Sequence, residues 1–168
     1  MSVRPAPVPF QKVVPMPAFS LSQLRSYSQR YFQHEDFMED SEPLYTANAD
    51  STSFQYPQQF MVYNRSALKH PVGSITYRAT IDLKDEKIRF TTDSVYFLPY
   101  VRNRYSRYVP ENSPPMPLSE WQQQWSGKQG ERFQTQIETK LEEHLQAFVV
   151  YVQEQKETQV NAKKLENW

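Results

Sequence analysis

Residues 75–92 read ITYRATIDLKDEKIRFTT, and in them Ile75, Tyr77, Ala79, Ile81 and Leu83 alternate with Thr76, Arg78, Thr80 and Asp82. Successive side chains of a strand point to opposite faces, so this period of two dictates one apolar face and one polar face. The charged KDEK of residues 84–87 breaks the run, and Ile88, Phe90 and Thr92 resume it. The pattern is a hairpin in an antiparallel sheet covered on one side only. A second layer must bury the apolar face, and helices are the candidates.

Two segments can supply them. Ser20, with Gln23 three residues on, is placed for a capping box, and Phe19 with Leu24 for a hydrophobic staple. Leu21, Leu24, Tyr27, Tyr31 and Phe32 then make one helical face, which should end near His34. Later, Phe133, Ile137, Leu141, Leu145, Phe148, Val149 and Val152 keep helical spacing for about five turns. A shorter helix is expected from Ser119, with Gln122 at the capping-box position and an interruption around Gly127 and Gly130. Short strands are expected at Val13–Val14, at 43–49 and at 58–64, with polar turn material between the last two. Residues 99–117 read as a loop, basic and aromatic before it becomes proline-rich.

Strands bounded by helices specify an α+β fold: a curved antiparallel sheet of four or five strands, helices packed on one face, and a long C-terminal amphipathic helix. The expected division is a proline-rich tail over 1–9, a single domain over 10–156 and a polar tail over 157–168. The absence of cysteine excludes disulfides, thiolate metal sites and cysteine nucleophiles. Three glycines against 13 prolines argue against glycine-rich phosphate loops. With 19 basic and 19 acidic residues, no global field draws in nucleic acid, so such binding needs a local patch. No apolar run is long enough to span a membrane as a helix.

One such patch exists. In YVRNRYSRY, Arg102, Arg104 and Arg107 accompany Tyr100, Tyr105 and Tyr108, the mixture of cations and stacking rings that single-strand platforms use. The plainer reading is a solvated loop whose tyrosines pack on the domain. Trp121 and Trp125, four residues apart, share a face of the short helix, where they line a pocket or anchor the helix to the core. The acidic run Glu35, Asp36, Glu39, Asp40 and Glu42 lacks the alternating ligands and turn glycine of a calcium loop. His34, His70 and His144 show no metal or triad spacing. No catalytic residue, metal site or cofactor is expected.

The segments FQKVVPMPAFSLSQLRSYSQRYF and TIDLKDEKIRF resemble a bacterial family of unknown function with a TBP-like (TATA-binding-protein-like) fold. That family's short F-x-K-V-V strand, proline-containing link and serine-capped helix ending in an aromatic pair correspond here to Phe10, Lys12, Val13, Val14, Ser20, Leu24, Tyr31 and Phe32. Its T-I-D-V-K-D-G-K-Y-R hairpin resembles the stretch from Tyr77 to Phe90. Ala18 and Glu86 stand where the family has glycines, and Tyr31 where it has a tryptophan. The resemblance implies a β-α-β(n)-α order and an exported, envelope setting (periplasmic or secreted), with Met1 then a processed start. It carries no activity with it.

The expectation is a non-enzymatic binding module for a protein or small-molecule partner. It would work through the outward hairpin residues Thr76, Arg78 and Thr80 and the loop carrying Tyr100, Arg102, Arg104, Tyr105, Arg107 and Tyr108. Two alternatives stand beside it. One is a carrier of a small apolar ligand, held in a cavity between sheet and C-terminal helix. The other is a weak nucleic-acid binder working through residues 100–108.

Overall fold

The alternation around Ile75 becomes a long hairpin in the computed structural model, which describes residues 10–34, 38–39, 42–64 and 69–167. The strands are β1 (Gln11–Pro15), β2 (Met38–Glu39), β3 (Glu42–Pro43), β4 (Thr46–Ala47), β5 (Ser53–Tyr63), β6 (Pro71–Lys84), β7 (Lys87–Arg102), β8 (Tyr108–Pro110) and β9 (Met116–Pro117). The helices are α1 (Leu21–Phe32), α2 (Leu118–Gln123) and α3 (Gly127–Glu166). A seven-stranded sheet runs β1-β7-β6-β5-β4, with β8 and β9 both pairing β7, while β2 and β3 form a separate pair. Ile75, Tyr77, Ala79, Ile81 and Leu83 are buried, and Thr76 and Arg78 are exposed, as the period of two requires.

The chain divides into two compact units. One comprises Lys12–Tyr56, Thr80–Phe90 and Glu142–Trp168; the other comprises Pro57–Ala79 and Thr91–Leu141, with the chain up to Gln11. In the unit containing α1, the capping box forms as expected. Ser20 Oγ accepts from the Gln23 N–H at 3.2 Å, and Gln23 Oε1 accepts from the Ser20 N–H at 3.0 Å. A third cap comes from far along the chain: Asp85 Oδ1, in the hairpin turn, accepts the Leu21 N–H at 2.7 Å. Beside it, the Glu86 N–H donates to Phe19 O at 2.9 Å, and Glu86 O accepts from the Met16 N–H at 2.7 Å. Asp85→Ala should therefore cost about 1 kcal/mol, the usual worth of a helix N-cap, read as a shift in the urea midpoint.

Ala18 and Glu86 have φ of 67° and 60°, in the left-handed region that favours glycine. Neither residue is glycine, so the chain holds this backbone shape without the residue that relaxes it. Ala18→Gly should stabilise by about 0.5 kcal/mol, relief of the Cβ clash being partly offset by a freer unfolded chain. Chemical denaturation measures it directly.

Phe32 centres this unit's core, stacked on Phe54 at 4.9 Å and packed against Tyr56 at 4.9 Å, Tyr45 at 5.3 Å and Phe148 at 6.2 Å between ring centroids. The polar stretch from residue 157, expected to be a tail, is helical through Glu166. Its Glu, Lys, Gln and Ala residues favour helix, and Lys163 and Lys164 sit in the last turn, where cations suit the helix dipole. The Tyr27 hydroxyl also donates to Gln159 Oε1 at 2.6 Å, which ties that stretch back to α1.

In the other unit, Trp121 lies flat on Phe97 with ring centroids 3.6 Å apart, and Phe133 packs against it at 4.9 Å. Here α2 begins one residue before Ser119. Pro117 occupies the cap position without a side-chain bond, and the burial of Leu118 and Trp121 fixes the start. Gly130 lies within α3 rather than breaking it. Gly127, with φ of 54°, turns the chain into that helix.

The strand expected at 58–64 begins earlier, at Ser53, because Phe54 and Tyr56 continue its buried alternation. The turn before it is held by Asn48 Oδ1, which accepts from the Thr52 and Ser53 N–H groups at 2.8 and 3.1 Å. Of the acidic run, Glu35, Asp36 and Asp40 lie outside the described residues, as does the 1–9 tail.

Candidate functional site

The segment 99–117, expected to be a loop, is largely a second hairpin. Tyr100, Val101 and Arg102 of β7 pair with Pro110, Val109 and Tyr108 of β8. Asn103 makes the turn: its Oδ1 accepts from the Tyr105 and Arg107 N–H groups at 3.0 and 2.9 Å, and Ser106 takes φ of 60°. The tip is thereby held by the Asn103 side chain. It presents Arg102, Arg104 and Arg107 to solvent with Tyr105, which is 68% exposed and lies 5.0 Å below the Arg104 guanidinium. Tyr100 is half-buried, and Tyr108 stacks on His70 at 4.6 Å and 10°.

The outward face of β6 is charged but largely self-neutralised. Arg78 donates to both Asp93 oxygens, Nε–Oδ1 at 2.8 Å and the second nitrogen to Oδ2 at 3.0 Å. Arg89 pairs with Asp82 at 3.1 Å. Hydrogen bonding from Arg78 holds the Asp93 carboxyl below its ordinary range, and the same bond raises Arg78. A lowered carboxyl contributes stability above its unfolded pKa and loses it as pH falls through the folded value, here on the acid side of the usual aspartate range. Both partners are exposed, so that contribution is small. Thr76 and Thr80 flank this pair, exposed and half-exposed respectively.

A concavity lies elsewhere. A cleft of about 930 Å³ is lined by Met61, Tyr63 and Asn64 at the end of β5, by Lys69, and by the face of α3 from Lys128 to Lys140. Gln136 closes its floor: the Tyr63 N–H donates to Gln136 Oε1 at 2.9 Å, and Gln136 Nε2 donates to Tyr63 O at 2.8 Å. Four cations, Lys69, Lys128, Arg132 and Lys140, line the cleft against one acid, Glu131. Among the described residues, Lys69, Lys128 and Arg132 form no ion pair. Lys69 does lie over the Tyr63 ring, 5.3 Å from its centroid. His70, stacked on Tyr108, carries the hairpin base next to Lys69 in the chain.

Sequence reasoning passed over this cleft. Lys128, Arg132, Thr135, Gln136, Thr139 and Lys140 do recur at helical spacing on α3, but between core positions they read as an ordinary wet face. Trp121 and Trp125 do not line the cleft. Trp125 falls past the end of α2 and meets Trp121 edge-on at 5.0 Å, and the two rings pack with Phe97 and Phe133. Among the described residues, no group of acidic and histidine side chains is arranged to hold a metal, and no helix is long and apolar enough to cross a membrane.

Comparison with known protein families finds none whose pattern matches the chain, and comparison with curated proteins finds no match. Among solved structures, the chain is similar to a DUF4468 family protein from Bacteroides ovatus, 14% identical, with a TM-score of 0.42. That likeness covers 61% of this chain and spans 59% of the other. It is also similar to a TBP-like protein from Parabacteroides distasonis, with 11% identity and a TM-score of 0.56. That match covers 87% of this chain and 92% of its counterpart. At such identity the likeness speaks for architecture alone, and the architecture is the TBP-like α+β fold that the hairpin and serine-capped helix implied.

Proposed function

We propose that this protein is a non-enzymatic binding module and that the cleft between β5 and α3 receives an anionic partner. The observation that carries this reading is the gathering of Lys69, Lys128 and Arg132, none ion-paired among the described residues, in one concavity of a chain whose formal charge is zero. Like charges held together repel, and an anion seated among them relieves the repulsion while gaining charge-assisted hydrogen bonds. The exposed hairpin tip, with Arg102, Arg104, Tyr105 and Arg107, extends the same sign of charge and forms a second contact surface. The outward β6 residues Thr76, Arg78 and Thr80 contribute less, since Arg78 is committed to Asp93. Carriage of an apolar ligand fits this cleft poorly, because its wall is cationic and both tryptophans are packed into the aromatic cluster.

The test is calorimetric titration of citrate, as a polyanionic probe, into the wild type and into a Lys128→Gln/Arg132→Gln double variant. Loss of two charge-assisted contacts should weaken binding about tenfold or more, and raised salt should weaken the wild type in parallel. Equal affinities for wild type and variant would remove the cleft as the site. The same titration on an Arg102→Ala/Tyr105→Ala/Arg107→Ala variant measures what the hairpin tip adds.

A further inference from the structure

β5 has β6 on one side and β4 on the other, but β4 pairs with it only through Thr46↔Gln55 and Ala47↔Phe54. From Pro57 to Tyr63 the outer edge of β5 therefore has no neighbouring strand among the described residues. Backbone N–H and C=O groups turn to alternate sides along a strand, and three contacts fix which residues face out. Ser53 O accepts from the Asn48 N–H at 3.1 Å, on the β4 side. Tyr63 directs both its N–H and its C=O to Gln136. The Asn64 N–H turns the other way, to His70 O at 3.1 Å. Odd-numbered residues thus face outward.

Along that edge Pro57 has no N–H to offer, and Tyr63 is already satisfied. Gln59 and Met61 remain, each presenting one donor and one acceptor where no strand pairs among the described residues. Gln136 already acts as one rung of a ladder, because its carboxamide exchanges two hydrogen bonds with a single residue, as a paired strand residue would. Met61 also lines the cleft with Lys69, Lys128 and Arg132.

We propose that the cleft's partner is an extended acidic peptide that adds as a strand to the edge of β5 at Gln59 and Met61. Its backbone would lie about 4.8 Å from β5. Its alternate carboxylates would meet the three cations. This rests on reading the cleft as an anion site and adds the class of ligand. In strand addition the main chain supplies affinity and the side chains supply selectivity. The need for both donors and acceptors favours a peptide over a nucleic acid, whose phosphates accept hydrogen bonds but would leave the Gln59 and Met61 carbonyls without donors. Proline at one end and the Gln136 clamp at the other keep the open edge short, the kind of protection that lets a protein carry such an edge without self-association.

The test uses a blocked hexapeptide alternating glutamate and valine, the same peptide N-methylated at every second residue, citrate, and an oligothymidylate. Binding is read by calorimetry, and amide hydrogen exchange at Gln59 and Met61 by NMR. Expected are saturable binding of the unmodified peptide, slowing of exchange at both amides by at least tenfold, and at least tenfold weaker binding after N-methylation. Equal binding of both peptides, or binding that leaves the two amides unprotected, overturns strand addition while leaving the anion cleft intact. Tighter binding of the oligothymidylate overturns it in favour of nucleic acid. If neither citrate nor either peptide binds, both readings fall.

Discussion

Truncating Phe32 to alanine should destabilise the protein by about 4 kcal/mol, within the range for emptying a fully buried aromatic site. Phe32 is fully buried and, among the described residues, packs against the rings of Tyr31, Tyr45, Phe54, Tyr56 and Phe148. Its removal loses the transfer energy of the ring and also deprives α1, β5, α3 and the Tyr45 segment of a common partner, so the surroundings cannot easily collapse into the void. Phe32→Leu keeps most of the volume and should cost about 1–1.5 kcal/mol. Urea denaturation followed by far-UV circular dichroism gives both values. A cost below 1 kcal/mol for alanine would mean that this cluster does not hold the unit together.

The second large effect is expected where a side chain is added. A Cβ on Gly73 would lie 2.5 Å from the Leu98 carbonyl oxygen and closer still to the edge of the Phe97 ring. Neither can yield cheaply. Leu98 O belongs to the backbone of β7, and Phe97 is stacked against Trp121, at 3.6 Å and 5° from parallel. Gly73→Ala should therefore cost about 3 kcal/mol, at the upper end for overpacking, and lower Tm by roughly 6–12 °C for a chain of this size. The displaced ring should also change the near-ultraviolet signal of Trp121. A stable variant with an unchanged aromatic spectrum would show that β7 can shift at this point.

What could be read from residues alone follows a simple physical division. The β6–β7 hairpin and α1 were legible because each buries one face, and burial imposes a period on the sequence. The capping box at Ser20 was legible because its partners are three residues apart. The β7–β8 hairpin was not, since its arginines and tyrosines show no clean alternation and its turn depends on one asparagine side chain. The helical stretch beyond residue 157 was missed because it carries no apolar stripe to announce it. The cleft was least visible of all. Lys69 meets Lys128 and Arg132 only through folding, and no local pattern separates a cation facing a cleft from one facing bulk water. The positive φ at Ala18 and Glu86 was half visible, as departures from glycine in a resembled family.

The contacts from Asp85 and Glu86 to Met16, Phe19 and Leu21 also bear on the order of events during folding. Each joins residues more than sixty positions apart, so the chain must close a long loop before any of them can form. The β6–β7 hairpin needs no such closure and can assemble within microseconds, and α1 carries its own capping box. Helix α1 can thus flicker into existence early, yet its docking must wait for a turn that is synthesised long after it. Substitutions at Asp85 should then speed unfolding more than they slow folding. The hairpin turn would serve as a late latch, closing over a segment that the ribosome released first.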